Sequence, residues 1–121
     1  MAVPNIVNVA TINGKVVTGA LDTTTTTALL TCDADHVFKI NTILISNIDG
    51  SSAADVTMTV RSDGSNDRHI AKTISVPADS TLEVLGQGSA IYLMEGDVLK
   101  GGANAASDLD LVISYESIDD A

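Results

Sequence analysis

The residues that could support chemistry lie in short polar segments. The segment 63–67, Asp-Gly-Ser-Asn-Asp, places oxygen ligands at the close spacing of a calcium loop. It lacks the bidentate Glu that an EF-hand supplies later in its loop, and no helix pattern flanks it. Asp33, Asp35 and His36 could ligate a metal, but without a second His or Cys this is a weak metal pattern. Both segments are therefore interpreted as solvated surface turns.

The nucleophile patterns are equally sparse. Cys32 is the single cysteine, so no intramolecular disulfide can form. A catalytic thiol needs a base beside it, and a predicted turn separates Cys32 from His36, so Cys32 is predicted to be a small core residue. His69 is predicted to lie on the solvent face of its strand. Segment 86–88, Gly-Gln-Gly, lacks the strand-to-helix context of a phosphate loop, and no Gly-x-Ser-x-Gly elbow occurs. The sequence predicts no enzyme, no cofactor and no metal site.

Composition narrows the class of partner. The 121 residues include 45% hydrophobic but only 2% aromatic residues, so the core must consist of aliphatic side chains. With so few aromatic side chains, the protein can hardly bind single-stranded nucleic acid by base stacking. Lys and Arg total 6 against 16 Asp and Glu, a formal charge of −10, which repels a phosphate backbone. Nucleic acid is therefore not an expected partner. The charge suits solubility at high local concentration, or docking onto a basic surface.

No membrane or export segment is expected. No apolar run approaches the roughly 20 residues of a membrane-spanning helix. The start, Met1 to Pro4, lacks the charged and apolar regions of a signal peptide. We expect a protein made in the cytoplasm and kept there, or in a particle assembled there.

The elements that must position these residues are strands. Residues 38–47 alternate apolar and polar side chains and then become apolar, as in a strand buried on both faces. After a turn at 49–52, residues 56–60 alternate again, which predicts a central β-hairpin. Asn13-Gly14 between two β-rich runs predicts an N-terminal hairpin, because Asn-Gly is the strongest short hairpin pattern.

The remaining segments extend the pattern. Thr23 to Thr27 is predicted to be an exposed edge strand that continues into Ala28 to Thr31, because threonine is β-branched. No window has the 3.6-residue period of a helix. Further short strands are predicted over 68–76, 81–85, 90–93, 98–100 and 109–115. Alternation in the first places His69, Ala71, Thr73 and Ser75 on one face and Ile70, Ile74 and Val76 on the other, and in the last it places Leu109, Leu111 and Ile113 inward. The sum is eight to ten short strands at the spacing of an all-β protein. We predict one domain over 1–121, an antiparallel β-sandwich of jelly-roll type with an N-terminal hairpin or arm, in which residues 1–10 are a candidate assembly arm.

Short segments across nearly the whole chain carry a family resemblance. They are Pro4-Asn5-Ile6, Ile12-Asn13-Gly14-Lys15, Val37-Phe38-Lys39-Ile40-Asn41, Ser46-Asn47-Ile48-Asp49-Gly50, Ile74-Ser75-Val76-Pro77-Ala78-Asp79, Ile91-Tyr92-Leu93 and Ser114-Tyr115-Glu116. Together they resemble the small virion structural proteins of tailed phages, marine cyanophages in particular. The resemblance implies a non-enzymatic particle component present in many copies.

The expected function is a capsid decoration, or cement, protein that reinforces joints between major capsid subunits in the virion. Expected partners are the major capsid protein or another virion protein, and further copies of the chain, with a trimer as one arrangement. Two segments are expected to reach a neighbour by strand addition. They are the arm, with Val3, Pro4, Asn5, Ile6 and Val7, and the threonine segment, with Thr24, Thr25 and Thr26. The alternatives are a module of a tail, neck, baseplate or fibre, and a carbohydrate-binding jelly roll for host attachment.

Overall fold

The computed structural model describes residues 9–62, 64–86 and 88–120, with the side chains of residues 9, 10 and 120 excepted. These residues form nine β-strands. The strands are β1 (Val9–Ala20), β2 (Ala28–Thr31), β3 (His36–Asn47), β4 (Ala54–Arg61), β5 (Arg68–Val76), β6 (Thr81–Leu85), β7 (Ile91–Leu93), β8 (Val98–Ala103) and β9 (Leu109–Asp120). The described part of the chain contains no helix that is long and apolar enough to cross a membrane.

The strands form two antiparallel sheets. Sheet A has the order β1-β9-β3-β6, and β7 pairs with β3 as well, whereas sheet B has the order β2-β8-β4-β5. The pairs are nested along the chain: β4 with β5, β3 with β6 and β7, β2 with β8, and β1 with β9. A long hairpin rolled over on itself gives this nesting, and it is the jelly-roll arrangement. The predicted antiparallel β-sandwich of jelly-roll type is confirmed.

The core lies between the two sheets and is almost entirely aliphatic. In β9, Leu109, Leu111, Ile113 and Tyr115 are buried at every second position, as a strand with one inward face requires. Facing them from sheet B are other fully buried side chains, Val56, Met58 and Leu99 among them. Each such side chain contributes roughly 1.5–3 kcal/mol through burial. The rings of Phe38 and Tyr115 lie 4.9 Å apart within this cluster.

The predicted central hairpin is wrong. Strands β3 and β4 follow one another in the chain, yet β3 belongs to sheet A and β4 to sheet B. The connection therefore crosses the sandwich, and Asn47 supports it because its side-chain amide donates to the carbonyl oxygens of Ser52 and Val76 at 2.9 Å each. Each of the two strands has one apolar face. Because the strands lie in opposite sheets, both apolar faces are buried in the same core.

The predicted N-terminal hairpin at Asn13-Gly14 is also wrong. Both residues lie inside β1, opposite Ser117 and Glu116 of β9, in a register that continues without a break from Thr11 to Ala20. The long pairing with β9 overrides the local turn preference, since a turn here would forfeit the ladder on both sides.

Strand β5 does not keep a strict alternation. Its register against β4 shifts twice, and Thr73 has a φ of 53°. Ala71 and Val76 are buried, whereas Ile70 and Ile74 are 38% and 41% exposed. Bulges of this kind change which side chains face the core, so the period-two assignment of residues 68–76 to two faces holds only in part.

Candidate functional site

The feature that stands out is the outer edge of β1. Strand β1 is the terminal strand of sheet A and pairs only with β9 among the residues the structure describes. From Thr11 to Ala20 the pairing is regular, so about 34 Å of extended backbone presents an edge with no partner strand there. Unpaired edges of this length are templates for pairing with another chain.

The side chains beside this edge are exposed and partly apolar. Ile12 is 55% exposed and Val16 is 61% exposed. They are four residues apart in a strand, so they lie on one face of sheet A. Between positions 11 and 20 only Val17 is partly buried, and it packs against the core. The one charged side chain in β1 is that of Lys15.

The other three sheet edges differ from β1, because each is short, irregular or covered. Strand β2 has only four residues and a register shift. Strand β5 carries two register shifts and the charges of Arg68 and Lys72. The far edge of sheet A is divided between β6, which includes Glu83, and the three-residue β7. Shortness, bulges and charge are the devices that protect sheet edges, and β1 has the fewest of them.

The threonine segment is a turn, so the prediction of an edge strand over Thr23 to Thr27 is wrong. The backbone amide of Thr24 and the hydroxyl of Thr27 both donate to the Asp22 carboxylate, at 3.0 and 3.1 Å. A carboxylate that captures a backbone amide two residues later stabilises a turn in preference to a strand. Thr24, Thr25 and Thr26 are exposed on this turn, and their role in an interface stays a prediction.

The turn is fastened to β8. The amide of Ala103 donates to the carbonyl oxygen of Asp22 at 2.7 Å, and the amide of Gly101 donates to that of Thr27 at 3.0 Å. The backbone of the turn also passes directly over Gly102, where a side chain would collide with Thr24 and Thr25. The turn therefore covers the part of the β8 edge that β2 leaves free.

The predicted arm residues Val3, Pro4, Asn5, Ile6 and Val7 lie outside the described residues. Ile12 and Val16 are not among the residues expected from the sequence to reach a neighbour. One pattern could have found them: the first 21 residues contain no Asp or Glu in a chain with a formal charge of −10.

The charges are divided unevenly between the two sheets. The strands of sheet B carry Arg61, Arg68, Lys72 and Lys100 against one carboxylate, Asp55. The strands of sheet A carry two cations, Lys15 and Lys39, against four described carboxylates: Glu83, Asp110, Glu116 and Asp119. Apart from those of Asp63 and Asp120, which are not described, every other carboxylate lies in a connection between strands. The connections therefore carry the acidity of the chain.

One ion-pair cluster lies at the start of β5. The Asp67 carboxylate is 2.9 Å from the Arg61 guanidinium and 3.2 Å from the Lys100 ammonium. Burial by itself would raise the pKa of Asp67, but hydrogen bonds from Lys100 and Arg61 outweigh it and lower that pKa below its ordinary value. The cluster links β4 and β8 to the loop before β5.

Cys32 is buried, as predicted. Its thiol donates to the carbonyl oxygen of His36 at 3.2 Å. Burial raises the pKa of Cys32 to about 11, against an ordinary 9.0, and nearby carboxylates, Asp33 first among them, add to the rise. The His36 ring lies 2.7 Å from the Ala34 carbonyl oxygen and 3.8 Å from Asp119. At neutral pH the Cys32 thiol is therefore protonated.

Asp63, considered above as a calcium ligand, lies outside the described residues. In the described ranges no three His, Cys, Asp or Glu side chains are close enough to share a metal ion. An open depression of about 270 Å³ lies where the end of β1 meets the start of β9, lined by Thr18, Gly19, Asp110, Leu111 and Val112.

Comparisons of the chain with models of protein families, with curated proteins and with solved structures found no match. No family is therefore assigned to it.

Proposed function

We propose that the protein is a non-enzymatic structural subunit of a phage virion, a capsid decoration protein that binds the outside of the shell formed by the major capsid protein. The observation that carries this proposal is the unprotected edge of β1, with Ile12 and Val16 exposed beside it. Such an edge endangers the solubility of an isolated protein. It is expected in a subunit that functions inside an assembly.

The fold suits this role. Two sheets enclose an aliphatic core, and the single cysteine is buried and unpaired, so the sandwich is held by packing and strand pairing without a disulfide. A repeated building block needs this kind of rigidity in a reducing cytoplasm, where disulfides do not persist. The resemblance of short segments of the chain to small virion proteins of tailed phages supports the same role.

The charge distribution suggests how the subunit meets the shell. Carboxylates are concentrated in the connections, Asp22, Asp33, Asp35 and Asp49 among them. Exposed carboxylates favour a basic partner surface and accelerate its encounter at low salt. We therefore expect binding to the shell to weaken as the salt concentration rises, because screening acts on exposed charges.

The test is the copy number of the protein in purified particles of the phage that encodes it, measured by quantitative mass spectrometry. Hundreds of copies per particle support a decoration protein. Tens of copies or fewer would overturn the capsid location in favour of a tail, neck or baseplate position. Absence from the particle would overturn the proposal as a whole.

A second experiment adds recombinant protein to particles that lack it and measures binding by co-sedimentation. Saturable binding that raises the temperature at which the shells release their genome supports reinforcement of the capsid. Particles that bind none of the protein, at low salt as well as high, would contradict it.

A further inference from the structure

We infer that the β1 edge pairs with the β1 edge of a second copy of this chain, antiparallel and about a twofold axis at Gly14. The inference rests on the proposed function, because it takes this edge as an assembly edge. It deepens that function by naming the partner as a second copy of the chain. Sheet A of one copy would then continue into sheet A of the other, with β1 next to β1 at the centre.

The arrangement of side chains along β1 is self-complementary in this register. With Gly14 opposite Gly14, Ile12 of each copy lies opposite Val16 of the other, on one face of the joined sheet. Directly opposed aliphatic pairs stabilise antiparallel strands. Two pairs form at once, and they cover the exposed side chains of Ile12 and Val16, at 55% and 61%.

The backbone of β1 allows close approach. A side-chain carbon placed at Gly14 or at Gly19 would meet no atom within 4 Å. The described pairing covers Thr11 to Ala20 without interruption. With Gly14 opposite Gly14, residues 11–17 of this stretch lie opposite residues 17–11 of the second copy, and their antiparallel pairing supplies roughly six to eight backbone hydrogen bonds, within the usual range for a protein interface.

Charge permits a second copy at β1. Two chains of formal charge −10 repel each other, and the repulsion is reduced where carboxylates are absent. Strand β1 contains none, and its single charge is that of Lys15. In the Gly14-centred register Lys15 lies opposite Asn13 of the other copy, so the two lysines do not oppose each other directly. The contact also pairs the least protected edge of each copy with that of the other. No free β1 edge then remains, so the assembly closes as a dimer.

The first test measures the oligomeric state of the recombinant chain by sedimentation velocity from about 1 to 200 µM. We expect a reversible dimer. The double variant Ile12→Lys with Val16→Lys places two pairs of like charges in direct opposition and should weaken dimerisation about 100-fold or more. The matched control is Ile70→Lys with Ile74→Lys, which makes the same change on the bulged edge strand β5, where the exposed fractions are 38% and 41%. It should leave the dimer intact.

A cross-link tests the register. Gly14→Cys, in a chain that also carries Cys32→Ala, should form a disulfide between two copies under mild oxidation. Opposed residues of antiparallel strands have Cα atoms about 4.5–5.5 Å apart, within the range a disulfide spans. Thr18→Cys in the same background should not cross-link, because its equivalent in the second copy lies eight residues away along the paired strands.

Three results would overturn the inference: a monomer at the highest concentration, a dimer that the β1 lysines do not weaken, or a dimer in which Thr18→Cys cross-links and Gly14→Cys does not. None of these experiments needs a phage particle. A dimer whose subunits are absent from virions would overturn the proposed function alone, and a monomer present in hundreds of copies per virion would overturn this inference alone.

Discussion

Replacing Gly102 by alanine tests whether the threonine turn is part of the packed fold. An alanine Cβ at this position would collide with the Thr24 carbonyl oxygen and would lie 2.7 Å from the Thr24 carbonyl carbon and 2.9 Å from the Thr25 Cα. All three are backbone atoms, so no side-chain rotation relieves the contact. The turn must move away from β8, which strains or breaks the two hydrogen bonds that Gly101 and Ala103 donate to it.

The expected cost follows from these contacts. Overpacking costs about 1–3 kcal/mol, and each hydrogen bond contributes about 1 kcal/mol net. Partial relief by movement of the turn reduces the total, so we expect Gly102→Ala to lower the free energy of unfolding by about 2–4 kcal/mol. The measurement is urea unfolding followed by circular dichroism, at one fixed protein concentration.

The matched control is Gly19→Ala in β1, where the added carbon meets nothing within 4 Å. It should be neutral, or stabilising by about 0.5 kcal/mol, because glycine weakens a strand interior. Hydrogen exchange at the Gly101 and Ala103 amides should also accelerate in Gly102→Ala. If Gly102→Ala unfolds within about 0.5 kcal/mol of the control, the turn is not packed on β8 and the reasoning is refuted.

Three further changes test separate features. Thr59→Val should raise the free energy of unfolding by about 1 kcal/mol or more, because the buried Thr59 hydroxyl has no hydrogen-bond partner among the described residues; a loss of stability in urea unfolding would contradict this. Asp67→Asn tests the ion-pair cluster. Burial would raise the pKa of Asp67, but hydrogen bonds from Lys100 and Arg61 lower it below its ordinary 3.8. The ionised Asp67 carboxylate therefore stabilises the fold above pH 3.8, and this stabilisation is lost as the pH falls through the lower native pKa. The stability deficit of this variant against the parent chain should therefore shrink as the pH falls from neutral through 3.8 and then through the lower native pKa, and a deficit independent of pH would count against the ion-pair cluster. Burial raises the pKa of Cys32 from 9.0 to about 11, so its reaction with a disulfide reagent near pH 8 should be at least about 100-fold slower in the native than in the urea-unfolded chain; equal rates would show that the thiol is exposed.

The sequence located most of the strands and missed how two of them pair. Period two is a local property, and it places the inward positions of β9, such as Ile113, without any knowledge of the neighbouring strand. Pairing is not local. The sequence pattern joined β3 to β4 because they are consecutive, whereas β3 lies between β9 and β6. Likewise, Asn13-Gly14 favours a turn in isolation. Within β1, the hydrogen-bonded pairing along nearly the whole of β9 outweighs the free energy lost by holding these two residues in a strand.

The candidate site was missed for a related reason. Whether Ile12 and Val16 face a core or solvent depends on where β1 lies in its sheet, and only the tertiary pairing decides that. The threonine segment shows the opposite case, in which a local contact decides. The Asp22 carboxylate captures the Thr24 amide and overrides the β preference of five threonines. Aspartate side chains commonly accept a hydrogen bond from the backbone amide two residues later, so an aspartate at the start of such a segment favours a turn.

The position of β9 in sheet A has a consequence for the order of events during translation. Strand β9 lies between β1 and β3, although it comes after every other strand in the chain. While the nascent chain still holds β9 inside the ribosome, β1 has no neighbour and the middle of sheet A is missing. Contacts of such long sequence separation slow folding. We therefore expect the core to close in one late step after synthesis of residues 109–120, so that chaperone contacts with β1 persist until then.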